Sequence, residues 1–185
     1  MATAPTPSGE GPRWEVFKQD TPSKPHQAVG SVHAADPEHA LLMARSVYAR
    51  RPAAVSLWVA PAEAVFAVTA EELAAAEPWS VEEAGEERLY QVFRKTSHRR
   101  AMTFVDHVGE VSAPGPRAAV AAARQAFPEP PALAWWVVPT ARLSASPDDE
   151  AAAWFEPAAD KTYKQQSAYG LLAPKKPGRS KGGDR

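Results

Sequence analysis

The chain contains no cysteine. That absence excludes disulfides, thiolate metal sites, iron–sulfur ligation and cysteine nucleophiles together, and it agrees with a reducing compartment. Long apolar runs are missing too. No stretch approaches the roughly 20 consecutive apolar residues of a membrane-spanning helix. Residues 1–12, rich in Pro, Gly, Ser and Thr, lack the apolar segment of a signal peptide. An excess of one charge is also lacking: 21 Lys and Arg against 22 Asp and Glu leave a net charge of -1, which gives no general pull toward nucleic acid or membrane. A cytoplasmic protein without membrane contact is the expectation.

Catalytic signatures are equally scarce. A carboxylate-bridged di-iron site draws on Glu and Glu-x-x-His motifs from several long helices, and the sequence has no Glu-x-x-His. A Gly-x-Ser-x-Gly elbow, a phosphate loop and a dinucleotide fingerprint are all absent. No residue is thereby nominated as catalytic, cofactor-binding or metal-ligating, and no cofactor is expected.

What the chain does have is an internal repeat. Trp14-Glu-Val-Phe-Lys18 returns as Tyr90-Gln-Val-Phe-Arg94, and Val29-Gly-Ser-Val-His-Ala34 as Val108-Gly-Glu-Val-Ser-Ala113. Ala44-Arg45 returns as Ala123-Arg124, and Trp58-Val-Ala-Pro61 as Trp136-Val-Val-Pro139. The offset stays between 76 and 79 residues through all four matches, which identifies two copies of one small unit in tandem. A unit this small rarely builds an enzyme pocket alone, but it pairs readily with itself or with a larger partner.

Each copy reads strand, strand, helix, strand. Alternation of Trp14, Val16 and Lys18 with Glu15, Phe17 and Gln19 marks a β-strand. Ala28 to His33 gives the second strand. Asp36-Pro37 then opens a helix, with Asp as N-cap and Pro at the first helical position. Its apolar face comprises Ala40, Leu41, Ala44, Val47 and Tyr48, matched by Ala119, Val120, Ala123, Ala126 and Phe127 in the second copy. Val55 to Val59 and Ala134 to Val138 are the third strands. The expected organisation is a disordered arm (residues 1–12), a first unit (13–68), an acidic connector with a short helix (69–88), a second unit (89–172) and a disordered basic tail (173–185). The connector helix is capped by Thr69 and stopped by Pro78, and between Glu63 and Glu87 there are eight Glu and no Lys or Arg. The segment from Ser144 to Leu172 has no counterpart in the first copy. Three strands and one helix leave a sheet edge open, so the fold class is α+β. Two tandem ββαβ units pair as an intramolecular pseudo-dimer around an antiparallel or mixed sheet.

Several residues invite chemistry and have a plainer reading. His33, Asp36 and His39 have a spacing that could suggest metal ligation, but Asp36 is occupied as a helix cap and the second copy has Ser112, Gly115 and Ala118 there. Trp58, Trp135 and Trp136 lie in third strands, where core packing accounts for them. Trp79, Trp154 and Phe155 lie in or near loops and are either self-docking residues or partner anchors. His98-Arg99-Arg100 sits in a hairpin loop, where a solvated tip is the simpler account than a phosphate contact.

Val29-Gly-Ser-Val-His-Ala-Ala-Asp36, Ala40-Leu41, Ala44-Arg45, Tyr48-Ala-Arg-Arg51 and Ser56-Leu-Trp-Val59 resemble the PaaB family, a small component of bacterial phenylacetyl-CoA epoxidases. The segment Trp154-Phe-Glu-Pro-Ala-Ala-Asp-Lys-Thr-Tyr-Lys164 is similar to that family's ending. The usual family pattern has one unit; here it is duplicated. The resemblance implies a small, cofactor-free accessory component of a multicomponent monooxygenase acting in phenylacetate catabolism. In such a complex a di-iron subunit performs the chemistry, a structural subunit supports it and a flavin/iron–sulfur reductase supplies electrons. The PaaB component bridges or couples them.

The first copy keeps His33, Asp36, Arg50 and Arg51, whereas the family-like ending follows the second copy. The expected partner surface therefore combines the first helix with the terminal segment: His33, Asp36, Arg45, Arg50, Arg51, Trp154, Phe155, Lys161 and Tyr163. Arginines would meet acidic groups and aromatics would anchor. The expected partners are the catalytic and structural oxygenase subunits and the reductase, with further self-association as another option. The competing readings are a stand-alone binding module for nucleic acid or a CoA thioester, and an enzyme with a CoA-thioester pocket between the copies. Net charge near zero and the acidic connector argue against nucleic acid.

Overall fold

A computed structural model describes residues 11–49, 54–76, 79, 85–99, 101, 103–148 and 153–155. The first copy contributes β1 (Arg13–Gln19), β2 (Gln27–His33), α1 (Pro37–Tyr48), β3 (Ser56–Pro61), β4 (Phe66–Thr69) and α2 (Ala70–Ala75). The second contributes β5 (Arg88–Lys95), β6 (Asp106–Ala113), α3 (Pro116–Ala126), β7 (Ala134–Pro139) and β8 (Ser144–Ala145). All eight strands form one antiparallel sheet in the order β4-β7-β5-β6-β2-β1-β3-β8. This is the expected pseudo-dimer, with an antiparallel rather than mixed sheet.

Each half has one more strand than the ββαβ reading gives it. After β3 the chain makes a 3₁₀ turn at Ala62–Ala64, and β4 then pairs with β7 of the other half, Phe66 opposite Val137 and Thr69 opposite Ala134. After β7 an equivalent turn at Thr140–Arg142 leads to β8, which pairs back onto β3, Trp58 opposite Ala145. Each half thus covers the open edge of the other's third strand. The start of the Ser144–Leu172 segment, Ser144–Ala145, therefore has a counterpart in β4, contrary to the sequence expectation, while 149–152 and 156–172 lie outside the described residues. The extra strands escape periodicity because they are only four and two residues long, too short to show alternation.

The halves join where β2 meets β6. Gln27 pairs with Asp106 in register, and backbone bonds from Ala28 to Val105 (2.9 Å) and from His107 to His26 (2.8 Å) flank the pair. Three hydrophobic clusters follow from alternation along the strands. Trp14 and Val16 of β1 face α1, and Tyr90 and Val92 of β5 face α3. Phe17, Ala60, Phe93, Trp136 and Val138 point to the opposite side of the sheet, where the two halves pack together.

The repeated Val-Gly dipeptide has a steric cause. The β1–β2 register shifts between Val16 and Phe17, and the β5–β6 register shifts between Val92 and Phe93. Gly30 and Gly109 sit at these bulges with φ of 142° and 148°, a backbone region that other residues rarely enter. Tyr48 crosses over Gly30 and donates its hydroxyl to the Ser31 carbonyl (3.0 Å). Phe127, at the same place in the second copy, crosses Gly109 with its Cζ 2.6 Å from where a Cβ would stand.

The helix starts follow their sequence signals. Asp36 accepts from the His39 amide (2.8 Å) to cap α1. Thr69 and Glu72 form a reciprocal capping box on α2. Ala40, Leu41 and Ala44 of α1 are buried, as are Ala119, Val120 and Ala123 of α3. The assigned faces extend one residue too far: Val47 is 53% exposed, and Ala126 is exposed likewise. Both lie at the outer edge of a stripe whose centre already fills the gap to the sheet.

Candidate functional site

The outer face of α1 departs from the chain's own symmetry. Leu42 (46% exposed) and Met43 (38%) stand on it in solvent, and Val47 (53%) lies between it and the buried stripe. The corresponding residues of α3 are Ala121, Ala122 and Ala126. Two helices with the same buried stripe thus present different exteriors, and an apolar exterior has no part in holding α1 to the sheet. A large contiguous apolar patch marks an interaction surface, whereas single exposed apolar side chains are ordinary.

A short helical turn at 153–155 reaches the same helix from the far end of the chain. Phe155 is buried in the cluster beneath α1, beside Leu41, Ala44 and Val16 in the same core, and Trp154 packs against that cluster. The Arg45 guanidinium lies over the Trp154 ring, 5.4 Å from its centroid, where the ring's negative face attracts the cation. Trp154 and Phe155 meet edge-on with centroids 5.8 Å apart. The last described residues of the second copy are therefore pinned to the first copy's helix.

Of the residues assigned to a partner surface, Arg45, Trp154 and Phe155 come together. Phe155 is a core residue and not an exposed anchor. Asp36, the N-cap, lies at the opposite end of α1, roughly 13 Å from Arg45 along the axis at 1.5 Å per residue, and His33 ends β2 just before it. They are engaged locally: His33 Nδ1 bonds the Gly11 carbonyl oxygen (3.1 Å) and Asp36 caps the helix. Arg50, Arg51, Lys161 and Tyr163 lie outside the described residues. Trp79 docks on its own fold, donating Nε1 to the Arg117 carbonyl (3.0 Å) under the Arg117 guanidinium. His98 and Arg99 are exposed at the hairpin tip, and Arg100 lies outside the described residues.

A second cluster, not anticipated from the sequence, sits where the halves join. The His26 ring stacks on Trp58 (centroids 3.5 Å apart, 16° between planes) and bonds Ser56 Oγ at 3.0 Å. His107 meets Trp58 and Phe93 edge-on, and its Nε2 lies 2.7 Å from Gln91 Oε1. An amide oxygen only accepts, so His107 Nε2 carries the proton. Burial pushes the His26 pKa down to about 4, with the nearby His107 adding to the effect. Burial also lowers His107, against the opposing influence of the Gly109 backbone and Glu110. Both imidazoles are neutral near pH 7 and serve as flat polar packing pieces between the halves. The sequence signal is present but weak: each histidine stands at the start of a second strand, close to a Val-Gly dipeptide.

Among the described residues, no group of three or more His, Asp or Glu side chains is arranged to hold a metal ion, and no helix is long and apolar enough to cross a membrane.

A model of the family phenylacetic acid degradation B (PaaB) matches this chain twice, over residues 10–82 and 86–176. Among curated proteins, the B subunit of 1,2-phenylacetyl-CoA epoxidase from Escherichia coli (strain K12) is 43% identical over 61 residues, 33% of this chain and 64% of the relative. The chain thus aligns with a little under two thirds of that relative's length. No solved structure matches.

Proposed function

Since the chain belongs to the phenylacetic acid degradation B family, carried in two tandem copies, we propose that it is an accessory subunit of a phenylacetyl-CoA epoxidase. It performs no chemistry itself. It joins the di-iron oxygenase to its structural subunit or its reductase through the outer face of α1. The relative supports the substrate and the multi-subunit setting, being named as one subunit of such an epoxidase. The observation that carries the docking role is the exterior of α1, where Leu42, Met43 and Val47 replace the three alanines of α3 beside the Arg45–Trp154 contact. A tandem repeat needs only one of its two helices to meet a partner, and this one carries the larger apolar side chains.

The test is reconstitution of the oxygenase and reductase with and without this chain, reading phenylacetyl-CoA turnover and co-elution. Turnover is expected only when the chain is added, and none from the chain alone. Leu42→Asp with Val47→Asp is expected to abolish co-elution while changing unfolding stability by no more than about 1 kcal/mol, since exposed substitutions usually stay within about 0.5 kcal/mol each. Undiminished co-elution of this variant would move the docking surface off α1. Turnover by the chain alone would overturn the accessory role.

A further inference from the structure

Strand exchange creates a cleft that neither copy could form alone. It has a volume of about 430 Å³ and lies between the first copy's 3₁₀ turn with β4 and the second copy's β5 and β7. Phe66 and Pro139 form apolar walls, and the fully buried Tyr90 lies at its floor. Two cations reach it. Arg142 is held by Glu63 at 3.0 Å, an exposed pair with 51% and 69% of the side chains accessible. The Arg88 guanidinium makes no ion pair or hydrogen bond among the described residues.

This combination selects a ligand. Small-molecule sites are concave, mostly apolar and placed where structural units meet, with a few convergent polar groups that fix orientation. The cleft beside the β2–β6 junction, about 380 Å³, lacks such selectivity: Lys18 and Lys24 are balanced there by Asp20 and Asp106. Here an apolar interior is joined to a net positive charge, since three charged groups comprise two arginines and one glutamate. A free guanidinium offers paired donors matched to a carboxylate.

We propose that this cleft binds a small organic acid. An aromatic or branched apolar body lies against Phe66 and Pro139, and the carboxylate rests on Arg88. Glu63 restrains the site by holding Arg142 away from the anion. The proposal is independent of the docking role of α1, which lies on the first copy's helix layer.

The full chain is titrated calorimetrically with naphthylacetate and with naphthylacetamide, which has the same apolar body without the charge. The acid is expected to bind about tenfold more tightly than the amide, the scale of one charge-assisted hydrogen-bonded contact. Arg88→Gln, at an exposed strand position, is expected to remove that preference and leave amide binding unchanged. Glu63→Gln, by freeing Arg142, is expected to tighten acid binding several-fold. Equal affinity for acid and amide, binding of neither, or an acid preference that survives in Arg88→Gln would each overturn the proposal. Thermal unfolding of both variants at the wild-type midpoint establishes that the fold is intact.

Discussion

Phe17 and Phe93 hold the same position in the two copies and stack on each other, ring centroids 4.2 Å apart and planes 22° from parallel. Both are fully buried. The pair marks the pseudo-twofold axis, so the point of symmetry is also a point of close packing. Each ring leaves the α-facing side of its strand because Val16 and Val92, its neighbours, take that side.

Phe93→Ala is expected to destabilise the protein by about 3–5 kcal/mol, the usual range for a buried aromatic truncated in a packed core. Phe17→Ala is expected to cost about the same. The double variant should be less destabilised than the sum by about 0.5–1.5 kcal/mol, the contact energy of an aromatic pair. Urea unfolding of the four proteins gives the coupling, and strict additivity would mean that the rings do not support each other.

The two bulge glycines predict a steric interaction that can be relieved. Gly109→Ala places a Cβ against Phe127 on a backbone with φ of 148°, and about 1–3 kcal/mol of destabilisation is expected. Adding Phe127→Leu should recover part of it by removing the clash, while the backbone strain remains. A Gly109→Ala protein as stable as wild type would show that the bulge relaxes at no cost.

Acid should loosen the junction between the halves. His26 titrates near 6.5 when unfolded and at about 4 in the fold. Its neutral form is the one the fold favours, so the full stability is present above pH 6.5. Between pH 6.5 and 4 the unfolded chain takes up a proton that the folded chain refuses, and stability falls. The loss from His26 approaches the order of 3 kcal/mol below pH 4. Ring-proton NMR should give the His26 midpoint directly. His26→Asn should flatten the stability profile over this window, and an unchanged slope would show that other groups carry the acid sensitivity.

The α2 cap is a cleaner local test. Thr69 accepts from the Glu72 amide (3.1 Å), and the Glu72 carboxylate accepts in return from the Thr69 amide (2.7 Å). Thr69→Ala is expected to cost about 1 kcal/mol by thermal unfolding, with β4 pairing weakened because Thr69 also closes that strand opposite Ala134. A cost near zero would mean that the cap contributes nothing beyond solvent.

Much of this fold is legible in advance because the repeat doubles each signal. Asp36-Pro37 opens α1, and the stripe of Ala40, Leu41 and Ala44 is buried beneath it, with the same pattern 79 residues later. The exchange of β4 and β8 is not legible, because two- and four-residue strands carry no period and their partners lie in the other copy. At the candidate site, the family-like segments point to Arg45, Trp154 and Phe155, and these three meet. Leu42, Met43 and Val47 do not stand out as a surface: the helical stripe takes in Val47 and leaves out Leu42 and Met43, and periodicity alone does not mark residues off the stripe as a second, outward face. His26 and His107 escape for a related reason. A histidine's burial depends on which strand lies across from it, and that information is not local.

Fusion of the two copies has one consequence that a pair of identical chains would not share. His26 and His107 both lie against Trp58 near the axis, but the symmetry-related positions are Val105 and Ala28. In a homodimer any new side chain at the axis arrives twice and has to tolerate its own image. Here one side can change alone, and the centre already holds a combination that no self-paired chain could adopt without placing four histidines there. The covalent link therefore acts as a licence for asymmetry: one half can drift toward recognition while the other keeps the sheet.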